Sequence, residues 1–165
     1  MPEPAYQVHP FPPLFDSGSR ILILGSFPSI KSREGQFFYH HPQNRFWRVL
    51  AGVLNVAVPM TIAEKTAMLH SHHIALWDVI ASCEISGSSD SSIRNVIPND
   101  LSPIFAQADI QAVFCNGGAS YGYYQKYTQA TTGFVARKLP STSPANAAWS
   151  LERLINAWRE ITKWL

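Results

Sequence analysis

The sequence has little cysteine and little charge. Its two cysteines, Cys83 and Cys115, have no Cys-x-x-Cys neighbour, which argues against a disulfide scaffold and against a thiolate zinc site. Charged residues make up 15% of the chain, and the net charge of +2 neither indicates nor excludes a nucleic-acid partner. Because 46% of the residues are hydrophobic, the composition excludes intrinsic disorder.

Long apolar runs are also missing, since no stretch approaches the ~20 residues that a membrane span needs. The first thirteen residues carry prolines at positions 2, 4, 10, 12 and 13 instead of the basic and apolar segments of a signal peptide. We therefore expect a monomeric cytoplasmic protein with no membrane partner. With 165 residues, no internal repeat and no linker, the chain is predicted to form a single domain over residues 1–165, with residues 1–19 as an extended arm.

Four short apolar runs predict buried strands, at residues 20–25, 73–79, 110–115 and 134–139. Helices are predicted between them, at 44–54, 61–70, 100–108 and 119–129, and a last helix is expected to begin at Ser143-Pro144. Thr61 and Glu64 have the spacing of a capping box. Residues 26–43 and 81–95 are predicted loops. The alternation indicates an α/β protein, a three-layer α/β/α sandwich with a central four-stranded parallel sheet.

Small polar segments follow the four predicted strands. They are residues 25–29, 77–78, 115–118 and 140–144. Because ligands of open parallel sheets bind at the carboxyl ends of the strands, we expect these segments to share one cleft. Uncharged side chains and free backbone N–H groups suit an anion or a polar heterocycle.

An aromatic segment, Phe37-Phe-Tyr-His-His-Pro-Gln-Asn-Arg-Phe-Trp47, lies in and after the first long loop. Rings beside a polar cleft are suited to stacking on a planar base. Together, Gly25-Ser-Phe-Pro-Ser29 and His41-Pro-Gln-Asn-Arg-Phe-Trp47 resemble the uracil-DNA glycosylase superfamily. The pattern is most similar to its DNA-deoxyinosine (hypoxanthine-DNA) glycosylase branch. Asn116-Gly117 and Ser141-Thr-Ser-Pro144 follow in the expected order, so the resemblance extends over roughly residues 20–146.

The resemblance implies a monofunctional DNA glycosylase that flips a deaminated nucleotide, most readily hypoxanthine, out of DNA and hydrolyses its N-glycosidic bond. It implies no metal and no organic cofactor, and its partner is DNA that contains deaminated bases. The residues that match its motifs are the catalytic Asn116 and Asn44, the base-binding Ser26, Phe27, Pro28 and Tyr39, and the DNA-binding Ser141, Thr142, Ser143 and Asn146. Asp78, at the end of the second strand, is a further catalytic candidate. A basic patch of Arg45, Arg94, Arg137 and Lys138 is expected to contact phosphates.

One departure from the pattern matters for substrate choice. Phe27 stands where uracil-removing relatives carry a catalytic Asp or Asn, so weak activity on uracil is expected. Catalysis then depends on donors that stabilise the departing base, for which Asn116, Asn44 and backbone amides are the candidates.

Other interpretations of these residues stay open. Asn116 and Asn44 are alternatively helix caps, and Phe37 and Phe38 are alternatively core residues. The histidine spacing matches no closed metal site. A non-catalytic reader of damaged nucleotides and a hydrolase of free nucleosides are the two alternative functions.

Overall fold

The computed structural model describes residues 3–165. Its strands in chain order are β1 (Ala5–Val8), β2 (Ile21–Gly25), β3 (Ile74–Asp78), β4 (Ile80–Ile85), β5 (Arg94–Pro98), β6 (Ala112–Asn116) and β7 (Arg137–Leu139). The helices are α1 (Ile30–Gly35), α2 (Phe46–Leu54), α3 (Ile62–Ser71), α4 (Ser102–Gln107), α5 (Gly118–Tyr127), α6 (Gln129–Thr132) and α7 (Leu151–Trp158). Two 3₁₀ segments, Asp90–Ser92 and Arg159–Trp164, complete the regular structure.

The central sheet has four parallel strands in the order β3-β2-β6-β7, which confirms the predicted sheet. Its two middle strands, β2 and β6, are apolar along almost their whole length, as strands covered on both faces must be. The register places Gly25 beside Asp78, and Leu24 beside Cys115. All four carboxyl ends therefore lie along one edge of the sheet.

Helix packing covers the sheet and fixes the aromatic loop. The strongly amphipathic α7 packs against α2, where Phe46 meets Trp158 edge to face with ring centroids 5.8 Å apart. Both rings are fully buried. The predicted capping box of α3 is confirmed, because Thr61 and Glu64 each bond to the other's backbone N–H.

A second sheet was not predicted from the sequence. Strands β1, β4 and β5 form an antiparallel sheet in that order, so the prediction of residues 81–95 as a loop is wrong for β4 and for the start of β5. The serines and glycine at 86–92 suggested a loop, and they occupy only the connection between these strands. The predicted arm is extended as expected, but it is an edge strand of this sheet; Met1 and Pro2 lie outside the described residues.

The boundaries of four predicted elements also change. Helix α1 lies inside the predicted loop 26–43, with Ser29 as its N-cap. The last helix begins at Leu151 after the cap Ser150, not at Ser143-Pro144, because the intervening residues are held in turns by Arg45. Strand β7 is shorter than the predicted run, and the 119–129 helix is divided into α5 and α6.

The two cysteines are buried, unpaired and separated between the two sheets. Burial raises the pKa of the Cys115 thiol to about 12 and that of Cys83 to about 11. Neither is therefore a ready nucleophile at neutral pH. Across residues 3–165, no helix combines the length and the apolar character needed to cross a membrane.

Candidate active site

A cavity of about 360 Å³ opens at the carboxyl edge of the central sheet. Its lining comes from all four predicted segments, which confirms that they share one cleft, and from the aromatic loop and the β4–β5 connection. The principal lining residues are Gly25, Ser26, Phe27, Pro28, Tyr39, Asn44, Asp78, Asp90, Asn116, Ser141, Thr142 and Ser143. The volume is that of a small-molecule site.

Two asparagines from different motifs are joined in this cavity by a threonine. The Asn116 Nδ2 donates to Thr142 Oγ1 at 3.0 Å, and the Thr142 backbone N–H donates to Asn116 Oδ1 at 3.0 Å. The Thr142 hydroxyl in turn donates to Asn44 Oδ1 at 2.8 Å. Asn44 Oδ1 also accepts the backbone N–H of Phe46 at 3.0 Å, so this side chain caps the start of α2 as well as lining the cavity.

The side chain of Thr142 is fully buried. It therefore links Asn116 to Asn44 within the protein, whereas its neighbours Ser141, Ser143 and Asn146, for which DNA binding was also predicted, are more exposed. The cavity does bring Asn116 and Asn44 together, as the motifs predicted. Their spacing in the chain gave no sign of the threonine between them.

Arg45 holds the loop after β7 in place. Its guanidinium donates to the backbone carbonyls of Ser143 at 3.2 Å, Asn146 at 3.1 Å and Trp149. The backbone N–H of Arg45 donates to the Thr142 carbonyl at 3.1 Å. Arg45 is thus occupied inside the protein, which corrects its expected place in a basic patch.

The rest of the expected patch is also largely engaged. Arg137 pairs with Glu160 at 3.1 Å and lies over the Trp164 ring, and Arg94 donates to nearby carbonyls. Lys138 lies beside a second cavity of about 550 Å³ that adjoins the first, together with Gly117, Gly118 and Trp149. This groove lies next to the N-terminus of α5.

Gly25 permits a close approach of two polar groups at the cavity floor. A Cβ atom at this position would lie 2.5 Å from Asp78 Oδ1 and 3.1 Å from the Tyr39 hydroxyl. The first of these distances is shorter than any real contact, so only glycine fits. The Asp78 carboxylate and the Tyr39 hydroxyl therefore both lie over Gly25, at the end of β2.

Tyr39 stacks on Phe46, with ring centroids 4.0 Å apart and an interplanar angle of 16°. Its hydroxyl is buried and approaches the Asn116 side chain, but it completes no hydrogen bond of normal geometry within residues 3–165. Burial, and then the nearby Asp78 carboxylate, raise the pKa of this phenol far above its ordinary value. A buried hydroxyl without a settled partner in a cavity is suited to bonding a ligand. The neighbouring Phe37 and Phe38 are core residues.

The wall formed by the first motif carries no acid or amide. Phe27 is 8% exposed and contacts the Arg33 guanidinium, which lies 5.6 Å from the ring centre. Arg33 also donates to the Pro28 carbonyl at 2.8 Å, which fixes this wall against the β4–β5 connection through Gly87. The Ser26 hydroxyl, in the same motif, donates to Asp90 Oδ1 at 2.8 Å.

Two residues of the site were not predicted. Asp90 lies at the cavity rim in the β4–β5 connection. Burial raises the pKa of its carboxyl, while the hydrogen bond from Ser26 acts to lower it. His9 comes from the N-terminal arm, and its Nε2 lies 2.7 Å from Asp78 Oδ2 in a buried pair. No local motif surrounds either residue, and each is placed by strand pairing: His9 by that of β1 with β4, and Asp90 by that of β4 with β5.

The histidines predicted not to form a metal site are dispersed. Within residues 3–165, no group of three or more His, Cys, Asp or Glu side chains could hold a metal ion. His70 lies 3.2 Å from Asp16, remote from the cavity lining, and His41 lines the cavity rim.

Fold and site together place the protein among α/β proteins whose ligand cavity opens at the carboxyl ends of parallel strands. Within that class, the chain belongs to the Uracil DNA glycosylase superfamily, whose family model matches residues 12–162. It is 33% identical over 144 residues to a hypoxanthine DNA glycosylase of Methanosarcina acetivorans, covering 87% of this chain and 90% of that one. A hypoxanthine DNA glycosylase of Methanosarcina barkeri is 32% identical over 155 residues, with coverages of 93% and 96%.

The fold is also similar to a solved structure. The solution NMR structure of a Methanosarcina acetivorans protein, provisionally named a uracil DNA glycosylase, superposes with a TM-score of 0.76 at 30% identity. The superposition covers 92% of this chain and 96% of that one. The family resemblance drawn from the motifs is therefore confirmed.

Proposed function

We propose that the protein is a monofunctional DNA glycosylase that excises hypoxanthine from DNA by hydrolysing the N-glycosidic bond. The observation that carries this proposal is the bonded set Asn116–Thr142–Asn44 at the carboxyl edge of the sheet, which lines one small cavity together with Tyr39. Flipping the nucleotide would bring its base into this cavity.

The asparagine amides suit the chemistry of a departing purine. When the C1′–N9 bond breaks, the base leaves with the electron pair and carries negative charge. Asn116 Nδ2 has two N–H groups, of which one bonds to Thr142. The other lies near the Tyr39 hydroxyl without completing a hydrogen bond of normal geometry, so it can turn to donate to a base in the cavity. A donor fixed in advance at the point where charge develops is worth roughly 3–4 kcal/mol in a studied enzyme.

Hypoxanthine is favoured over uracil for two reasons. The two Methanosarcina relatives carry that name at about one third identity over most of the chain. The first motif, moreover, presents the apolar Phe27 where uracil-removing relatives carry an acid or amide. We therefore expect stabilisation of the departing base to contribute more to the rate than activation of the water. No lysine lies in the cavity lining of residues 3–165, which supports hydrolysis without a covalent lyase step.

The test is single-turnover base release from duplex oligonucleotides that each contain one inosine, one uracil or one xanthine. We expect release of hypoxanthine, faster than release of uracil, and the same rate in EDTA because no metal is required. Faster release of uracil would refute the specificity. Tight binding to inosine-containing DNA without release of any base would favour a non-catalytic reader.

A salt series separates the DNA substrate from free nucleosides. Phosphate contacts release counterions, so we expect affinity for DNA to fall with salt although the net charge is only +2. Lys138→Ala should reduce the slope, because Lys138 faces the groove beside the cavity. A flat plot, with hydrolysis of free inosine, would support a nucleoside hydrolase instead.

A further inference from the structure

The buried His9–Asp78 pair lies outside the four motifs that resemble the family, which are residues 25–29, 41–47, 116–117 and 141–144. The arm that carries His9 is fixed on both sides of it. The His9 backbone N–H donates to the Ala81 carbonyl at 2.8 Å, and Leu14 exchanges two backbone hydrogen bonds with Leu76 at 3.0 and 2.8 Å. Backbone hydrogen bonds to β4 and to β3 thus hold the arm so that the imidazole lies at the end of β3.

The surroundings of the imidazole fix its orientation. The ring centroid of His9 lies 4.6 Å from that of Phe11, 4.5 Å from that of Trp77 and 6.0 Å from that of Phe27, and the side chain is 3% exposed. Its Nδ1 accepts the backbone N–H of Phe11 at a long 3.5 Å, which leaves Nε2 to donate to Asp78. Phe27, which replaces the usual acid or amide, therefore forms part of the wall behind this pair.

The two oxygens of Asp78 consequently have different environments. Oδ2 accepts from His9 Nε2 at 2.7 Å. Oδ1 lies over Gly25 beside the Tyr39 hydroxyl, at the floor of the cavity. The hydrogen bond from His9 fixes the orientation of the Asp78 carboxyl group and leaves its second oxygen at the cavity.

We propose that His9 is a positioning residue of the hydrolytic step and that it acts through Asp78, so that the N-terminal arm is part of the active site. The inference rests on the proposed glycosylase function. Asp78 supplies the carboxylate that the first motif lacks. A water oxygen bonds to C1′ as the C1′–N9 bond breaks, and the electron pair goes to the base. One water proton passes to Asp78 and then to the departed base, which balances the reaction.

The test compares four variants of the full chain with a control. His9→Phe keeps a ring of similar size and removes the donor, whereas His9→Gln keeps an amide N–H that reaches the carboxylate. Asp78→Asn and the His9→Phe/Asp78→Asn double variant show whether His9 acts through Asp78. Phe11→Leu is the control, since it thins the packing of the same arm and leaves the His9–Asp78 bond in place.

We expect His9→Phe to lower the single-turnover rate about 10- to 100-fold, the equivalent of one hydrogen bond to a charged group. His9→Gln should recover most of that loss, and affinity for uncleaved DNA should change less than about threefold. In the Asp78→Asn background, His9→Phe should cause no further loss, because two residues that act as a unit are not additive. Thermal unfolding of each variant separates lost stability from lost rate.

Three results would overturn the inference. They are a wild-type rate in His9→Phe, a loss that only matches that of Phe11→Leu at equal stability, and losses that multiply in the double variant. If the wild-type protein releases uracil or xanthine but not hypoxanthine, the proposed specificity fails, and the same comparison is made on the base that is released. A wild-type protein that releases no base overturns both proposals.

Discussion

Replacing Thr142 tests whether the link between the two asparagines is catalytic or only structural. Thr142→Val keeps the shape of the side chain and removes the hydroxyl. Two hydrogen bonds are lost, the one from Asn116 Nδ2 at 3.0 Å and the one to Asn44 Oδ1 at 2.8 Å. At about 1 kcal/mol each, the expected loss in free energy of unfolding is about 2 kcal/mol.

Thr142→Ser is the matched control. It keeps the hydroxyl and removes one buried methyl group, which costs about 1 kcal/mol. Both variants retain the backbone bonds from Thr142 to Asn116 and from Arg45 to Thr142, since these use no side-chain atom of residue 142. The expected losses in free energy of unfolding therefore differ by about 1 kcal/mol, and the main chemical difference between the two variants is the hydroxyl.

We expect the rates of the two variants to differ by more than their difference in stability accounts for. In Thr142→Val the amides of Asn116 and Asn44 each lose one of the two hydrogen bonds that fix their orientation, so we expect single-turnover release of hypoxanthine to fall about 10- to 100-fold. In Thr142→Ser it should fall less than about threefold. Denaturant unfolding and single-turnover kinetics on one inosine duplex measure both quantities. Equal rates in the two variants would refute the catalytic role of the link.

Three further predictions concern the cavity floor and rim. Gly25→Ala should nearly abolish base release, because its Cβ would lie 2.5 Å from Asp78 Oδ1; activity near wild type would show that Asp78 moves freely. Asn116→Asp should be at least as inactive as Asn116→Ala in single-turnover assays, since a carboxylate repels an anionic leaving base, whereas a mere helix cap would tolerate it. Asp90→Asn should raise the unfolding temperature at pH 7. The raised pKa of Asp90 favours its neutral form in the folded state, so this gain should vanish below the ordinary value of 3.8; a pH-independent gain would contradict it.

The central sheet and the order of its motifs could be predicted because local patterns specify them. Short apolar runs identify β2, β3 and β6, and a threonine three residues before a glutamate identifies the start of α3. These signals act within a few residues. They also sufficed to place Asn116 and the loop after β7 at one edge of the sheet, whereas Asn44 was assigned to the site by the family resemblance.

Local patterns failed where a structure depends on its partner. β4 has serine and glutamate within it, and its strand identity comes from pairing with β1 and β5 on either side. The turns that precede α7 exist because Arg45, about a hundred positions earlier, binds their carbonyls. No propensity at Ser143 or Pro144 contains that information.

The sequence alone determined the fold class, the family and the asparagines that line the cavity, since these follow from residue types in a fixed order. Only the tertiary structure decided that Thr142 joins the asparagines and that His9 holds Asp78. These bonds connect residues separated by 98 positions for Asn44 and Thr142, and by 69 for His9 and Asp78. Such pairs form when segments from distant parts of the chain pack together. A local sequence pattern does not specify which distant residue will make the contact.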